Sequence, residues 1–235
     1  MIRIVIIGAR GRMGRISLKS LQADPRFNVV ACVNRGDDLG ATLDSHQVDV
    51  VLDFSLPDCV FLNAKTVIER GIHLVVGASG LTVEEISELS TLAKTHQTAG
   101  LVVPNFSISA VLMMQFAERA AALLSNVHIV ELHHDKKVDA PSGTARKTAE
   151  LIAQHALDRT KEGGVTVSCY QGVPIHSVRL PSLFAHQAVV FQGQGETLTI
   201  KHDASNRDCM MPGVLLACEK VMSLASFEYG LDVLL

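Results

Sequence analysis

Short apolar runs alternate with amphipathic stretches through the first part of the chain. Residues 2–7 form an apolar run bounded by Gly8, the pattern of a buried parallel strand. Ile16, Leu18 and Leu21 then recur at near-helical spacing until Asp24-Pro25. Further strands are predicted at residues 28–33, 48–54, 73–76 and 101–103, with helices over about 58–70 and 82–96 between them. Thr82, followed three residues later by Glu85, is a capping box that starts the second of these helices. The alternation predicts an α/β fold whose N-terminal part is a doubly wound parallel sheet, with ligands at its carboxyl edge.

The rhythm changes from Ile108. A long apolar helix over about 109–124 leads to a strand at 127–134 and a second helix over about 142–157. After Gly163-Gly164 the chain turns strand-rich, with candidates at 165–170, 175–180, 188–191 and 197–202. Strands in succession imply a mixed open sheet, hence a second, α+β domain. Pro212 and Gly213 introduce a final helix over about 214–225. The expected division is a first domain at 1–106, a second at 107–209, and a C-terminal helix at 210–235 returning to the first domain.

Composition narrows the function classes. At 235 residues with 48% hydrophobic side chains, the chain can bury one large core or two modest ones. Its 21 basic and 24 acidic side chains are intermixed, and a net charge of −3 provides no broad basic field for nucleic acid. No apolar run approaches the roughly 18 residues of a membrane span, and the start carries no signal-peptide pattern. A cytoplasmic protein that binds neither nucleic acid nor membrane is expected. Cys32, Cys59, Cys169, Cys209 and Cys218 are scattered without a CxxC pair, so they read as thiols, with no metal site.

The first strand runs into Gly8-Ala9-Arg10-Gly11-Arg12-Met13-Gly14, a GxxGxxG turn that opens a helix. Such a turn lets backbone N–H groups approach a pyrophosphate at a helix N-terminus, the Rossmann arrangement, or else merely permits close packing. The second strand ends at Asn34-Arg35, where an acid would usually grip the ribose 2′-OH of NAD. Without that carboxylate, and with Arg35 able to pair with a 2′-phosphate, NADPH is expected to be preferred over NADH. The bland alternative is that Arg35 is a solvated loop charge. Gly77-Ala78-Ser79-Gly80 and Val103-Pro104-Asn105-Phe106 follow the fourth and fifth strands, and the small residues of the first loop would let a cofactor ring lie near the backbone.

The densest chemistry lies between Glu131 and Ala145. An apolar run ends in His133-His134, Lys136-Lys137 follow, and Pro141-Ser142-Gly143-Thr144 starts a helix whose N–H groups suit a carboxylate. Imidazole titrates near working pH and can quench the electron density that hydride addition builds. On a regular strand His133 and His134 point to opposite faces, so at most one faces a given pocket. Glu131 shares a face with His133, either orienting it or forming a structural salt bridge. Lys136 reads as solvated, and Asp139 as a turn or capping residue.

With these motifs together, the chain resembles the dihydrodipicolinate reductase (4-hydroxy-tetrahydrodipicolinate reductase) family over essentially its whole length. The run Glu131-Leu132-His133-His134-Asp135-Lys136-Lys137-Val138-Asp139-Ala140-Pro141-Ser142-Gly143-Thr144-Ala145 matches the family pattern E-x-H-H-x-x-K-x-D-A-P-S-G-T-A. Asn105-Phe106-Ser107, and His202, Ala204, Ser205 and Arg207, add to it. The resemblance implies hydride transfer from NADPH or NADH to a cyclic dicarboxylate, giving tetrahydrodipicolinate in lysine and diaminopimelate synthesis. It also implies a homotetramer assembled through the second domain's sheet. By the same resemblance His133 is the acid/base residue, Lys137 the proton donor, and His134 with Ser142, Gly143 and Thr144 contact substrate. Closure of the two domains is expected to bring nicotinamide and His133 together.

Several positions depart from the family pattern. Asn34 stands where an acid is common, Ala78-Ser79 replaces two threonines, and Ile108-Ser109-Ala110-Val111 replaces x-G-x-N. Phe184-Ala185-His186 keeps only the histidine of G-E-H. Two other readings compete. One is a different NAD(P)-dependent oxidoreductase, although no cysteine stands in a nucleophile-like loop. The other is a non-enzymatic protein that kept the fold, against which the intact His133, Lys137 and Ser142-Gly143-Thr144 set argues.

Overall fold

Strand β1 (Ile2–Ile7) has Ile4, Val5 and Ile6 fully buried, so both of its faces must be covered, as only helices flanking a parallel sheet can do. The computed structural model describes residues 1–155 and 168–235. These form two units, Met1–Ile108 with Met210–Leu235 and Ser109–Cys209.

The first unit runs β1, α1 (Arg12–Ala23), β2 (Phe27–Val33), α2 (Leu39–Ser45), β3 (Val50–Asp53), α3 (Pro57–Ile68), β4 (His73–Val76), α4 (Val83–Thr95) and β5 (Gly100–Val102). The second contains α5 (Ile108–Ala121), β6 (Asn126–His133), α6 (Gly143–Gln154), β7 (Ser168–Tyr170), β8 (Val173–Arg179), β9 (Ala185–Gly193) and β10 (Glu196–Ala204). The chain then re-enters the first unit with α7 (Met211–Lys220) and β11 (Phe227–Tyr229).

The first sheet has the order β11-β5-β4-β3-β1-β2, with every neighbouring pair parallel. Because β2 lies on one side of β1 and β3 on the other, the winding reverses at β1, which opens a crevice at the carboxyl ends. The predicted capping box on α4 forms, with Thr82 Oγ1 accepting from Glu85 N–H and Glu85 Oε2 from Thr82 N–H.

Two elements of this unit escape a periodicity reading. Helix α2 is seven residues long and contains Gly40; it is started by Asp38, whose Oδ1 accepts from Ala41 N–H at 2.9 Å. Strand β11 is three residues long, yet a Cβ on Gly100 would lie 2.2 Å from the Phe227 ring, so the pair fits only because Gly100 has no side chain. The segment after residue 210 is therefore not one helix over 214–225. Helix α7 begins earlier, with Pro212 in its first turn where a missing N–H costs nothing, and the chain beyond it completes the sheet edge.

The second sheet has the order β10-β9-β6-β8-β7, with β6 and β8 parallel and the other pairs antiparallel. Hairpin β7–β8 turns on Gln171 and Gly172, both at positive φ. Helix α6 covers one face, packing Ala145, Ala149 and Ile152 with Val127, Ile129, Ile175, Val189 and Phe191. The expected extension of α6 to 157, the Gly163-Gly164 boundary and the start of the 165–170 strand lie outside the described residues.

Candidate active site

The glycine turn is packed so closely that only glycine fits at two of its three positions. A Cβ on Gly8, which has φ +76°, would meet the Phe54 carbonyl oxygen at 2.5 Å, and one on Gly14 would meet the Gly8 carbonyl oxygen at 2.2 Å. Gly11 is the N-cap of α1, which has no side-chain cap and no acid in its first turn, so the positive helix end stays unblocked. Asn34 anchors this turn: its Oδ1 accepts from Arg10 N–H at 2.9 Å, while its own N–H donates to Asp37 Oδ2 at 2.8 Å. Arg10, Arg12 and Arg35 are exposed around it.

Farther along the same edge, Gly77, Ala78, Ser79, Gly80, Val103, Pro104 and Tyr229 line a cavity of about 240 Å³. Aromatic packing lies against Gly77, the first residue of this lining. Phe54 and Phe106 meet edge to face at 5.6 Å, and a Cβ on Gly77 would strike both rings, at 2.2 and 2.7 Å. Phe106 is buried, so its ring backs the loop, and Asn105 Oδ1 accepts from Ser107 N–H at 2.9 Å. Asp53, fully buried, ties the neighbouring loops. Its carbonyl accepts from Gly77 and Ala78 N–H and its carboxylate from Ser55 N–H and Asn63 Nδ2. Burial pushes the Asp53 carboxyl above its ordinary value despite those hydrogen bonds.

In the second unit, the face of β6 beneath α6 changes from apolar to polar along its length. Val127 and Ile129 are followed on that face by Glu131, fully buried, and His133, whose side chain is 14% exposed. Glu131 Oε2 bonds His133 Nδ1, and Glu131 Oε1 accepts from Arg179 Nη2 at 2.8 Å. With Nδ1 committed to the carboxylate, the reactive position left to the imidazole is Nε2. Beside them, Gln187 Nε2 donates to Thr148 Oγ1 at 2.7 Å.

Beyond the strand, Lys137 N–H closes a turn onto the His134 carbonyl at 3.1 Å, and Lys137 Nζ pairs with Asp139 at 2.7 Å. Asp139 is thus neither a cap nor idle: its carboxylate holds Lys137 and its carbonyl accepts from Arg179. Ser142 is the N-cap of α6, its Oγ accepting from Ala145 N–H at 3.2 Å, and Gly143 stands exposed at the first helical position. Lys136 is exposed, as expected. Among the described residues, no cluster of potential ligands could hold a metal, and all five cysteines are free.

Comparison with known proteins finds relatives that match along nearly the whole chain. Family models described as the N-terminus and the C-terminus of dihydrodipicolinate reductase match residues 2–106 and 109–235. This chain belongs to the dihydrodipicolinate reductase family. It is 44% identical over 237 residues to the 4-hydroxy-tetrahydrodipicolinate reductase of Coxiella burnetii, covering 100% of this chain and 99% of that protein. The enzyme of the same name from Legionella pneumophila is 42% identical over 241 residues, covering 99% of each. Among solved structures, the dipicolinate-bound dihydrodipicolinate reductase from Paenisporosarcina sp. TG-14 superposes with a TM-score of 0.90 at 35% identity over 100% of both chains. Family membership makes the first unit a dinucleotide-binding domain and the chain an oxidoreductase.

Two residues beside these groups, Tyr229 and Arg179, carry no motif in the sequence, and Asp53, which closes the third strand, carries no sign there of its anchoring contacts. Arg179 left one detectable signal. On β8, Val173, Ile175, Ser177 and Arg179 alternate onto one face, so a cation ends a series that begins with two buried apolar residues.

The charge state of the cluster has a measurable consequence. Burial pushes the Glu131 carboxyl up, but hydrogen bonds with His133, Arg179 and Ser177 outweigh it and hold it down at about 2. A depressed carboxyl contributes stability above its ordinary value of 4.5 that is lost as pH falls toward 2. The melting temperature of Glu131→Gln is therefore expected to fall less between pH 6 and pH 3 than that of the unaltered protein. Parallel melting curves would show that this pair does not contribute.

Proposed function

We propose that this chain reduces 4-hydroxy-tetrahydrodipicolinate to tetrahydrodipicolinate, with NADPH preferred over NADH, in diaminopimelate and lysine synthesis. Balance requires one hydride and one proton to enter and one water to leave. The observation that carries the reading is His133, held at Nδ1 by the buried Glu131 carboxylate beside the N-terminus of α6, in a chain with a dinucleotide-binding unit.

The nucleotide edge fits the cofactor. Gly8 and Gly14 leave no room for side chains, the α1 N-terminus is uncapped, and the 240 Å³ cavity is walled by small residues. Gly8 to Gly14 would hold the pyrophosphate, Asn34 and Arg35 the adenosine ribose, and Gly77 to Ser79 with Val103 to Phe106 the nicotinamide end. Reduced nicotinamide supplies the hydride when bound. His133 Nε2 moves the proton, and Glu131 keeps the ring in the required tautomer. Lys137 supplies positive charge or a proton to the substrate, with Asp139 steadying its ammonium. His134 and Ser142 to Thr144 bind the carboxylates, for which the positive end of α6 is suited.

The preference for NADPH is supported by Asn34, which presents an amide rather than a carboxylate, and by the exposed Arg35. We also assign the chain to the cytoplasm as a homotetramer. The face of the second sheet opposite α6 carries the half-buried Val130, Leu132, Val178, Ala188 and Val190, which a second copy would cover.

Oxidation of NADPH and NADH, followed with freshly generated 4-hydroxy-tetrahydrodipicolinate, tests activity and cofactor choice together. Turnover with both and a higher kcat/KM for NADPH is expected. Arg35→Ala should reduce that advantage by about ten-fold, the size of one hydrogen bond to a charged group. Absence of oxidation with either cofactor sinks the activity, whereas equal use of both removes only the 2′-phosphate contact.

A further inference from the structure

Arg179 lies on β8 directly beside His133, its register partner in the parallel β6–β8 pair. Its guanidinium does two separate things. Nη2 donates to the Glu131 carboxylate at 2.8 Å, and the same nitrogen donates to the Asp139 backbone carbonyl, 40 residues away in sequence, at 2.7 Å. Nη1 is fixed by the Val178 carbonyl at 2.9 Å, so the planar fork cannot rotate away from either partner. Each partner in turn holds one of the two proton-handling groups, Glu131 holding His133 and Asp139 holding Lys137.

We propose that Arg179 is a positioning residue that joins His133 and Lys137 into one unit, by bridging the carboxylate that orients the imidazole to the backbone that carries the lysine's partner. The proposal rests on the roles given above to His133 and Lys137. A lysine at position 179 would keep the charge on a single nitrogen but lose the second nitrogen, Nη1, that anchors the group on the Val178 carbonyl, and a neutral residue would lose the charge. The bland alternative is a structural ion pair. It accounts for Arg179 to Glu131, but it gives no reason for the same nitrogen to reach the loop that carries Lys137.

Among the described residues, the following charged and titratable groups surround this bridge. Strand β6 contributes Glu131 and His133, β8 contributes Arg179 itself, the loop contributes Lys137 and Asp139, and α6 contributes Arg146, whose charge is felt at Asp139. The facing residue on β9 is the neutral Gln187, partner of Glu131 in register. Glu131 is therefore the group whose ionisation depends most directly on Arg179. With the guanidinium present its carboxyl sits at about 2; without it, the upward push of burial is opposed by fewer hydrogen bonds and the carboxyl rises.

The test compares kcat against pH for the full-length protein and for Arg179→Gln and Arg179→Lys, with NADPH affinity and melting temperature measured alongside. In Arg179→Gln, kcat is expected to fall roughly ten- to hundred-fold, less than for loss of a proton-transfer group itself, with substrate KM changed much less. The acid limb of the profile should move to higher pH, because Glu131 is protonated, and His133 released, earlier in the descent. Arg179→Lys should show a smaller shift. If Arg179→Gln does not fold, Arg179→Lys is read alone, and an unmoved limb with near-normal kcat overturns the proposal. A lower melting temperature with an unmoved acid limb in either variant also overturns it, since a structural ion pair predicts that result. Failure of the underlying reading is distinguishable, because it would show as near-normal turnover in His133→Ala whatever Arg179 does.

Discussion

Replacing His133 by alanine is expected to lower kcat by roughly 10²–10⁴-fold, the range over which a positioned acid or base acts, while NADPH affinity stays at its unaltered value. The separation is physical. The residues that fit the cofactor belong to the unit built on β1 to β5, whereas His133 ends β6 in the other. An effect on transition-state proton transfer lowers kcat and kcat/KM together without weakening cofactor binding. Lys137→Ala should act in the same direction, with a larger share in substrate KM if its ammonium mainly neutralises a carboxylate. NADPH affinity is read from cofactor fluorescence and turnover from oxidation at saturating substrate. Near-normal rates in either variant would remove that residue from the chemistry.

Gly14→Ala is expected to weaken the nucleotide site most among the single-methyl changes. The added Cβ would lie 2.2 Å from the Gly8 carbonyl oxygen and 2.7 Å from Ala9 Cα, so backbone rather than a yielding side chain would have to move. Overpacking of this kind costs about 1–3 kcal/mol, equivalent to roughly ten- to hundred-fold in NADPH affinity if the turn opens to relieve it. Gly11→Ala is the internal comparison. Its Cβ would meet only the Gly8 carbonyl oxygen, at 3.1 Å, which a shift of a few tenths of an ångström relieves. Equal Kd values for the two variants would refute the packing account of this motif.

The parts of the fold that could be read from the chain share one property: their determinants are local. The run at residues 2–7, the GxxGxxG turn and the Thr82–Glu85 cap each place cause and effect within a few positions, so periodicity and cap chemistry reveal them. His133 and Glu131 were likewise legible as sharing a face, because strand alternation is local. The same alternation could not say which histidine faces the core. That depends on α6 covering one side of β6 and on Glu131 being buried beneath it.

What only the tertiary structure decided is everything carried by strand pairing. Strand β11 is too short to signal itself and exists because its backbone pairs with β5, with Phe227 packed over Gly100. Asn34 reads as a missing acid, yet in the fold its side chain ties the second strand to the glycine turn through Arg10 N–H. Asp53 reads as the end of a strand and proves to be a fully buried anchor for two loops. Arg179 is the clearest case. It stands 48 residues from Glu131 and 40 from Asp139 in sequence, and no local pattern connects them. Period and capping specify which elements form and which side of each is apolar. Register between strands distant in the chain is set by the whole core, and here that register places Arg179 against both the Glu131 carboxylate and the Asp139 carbonyl.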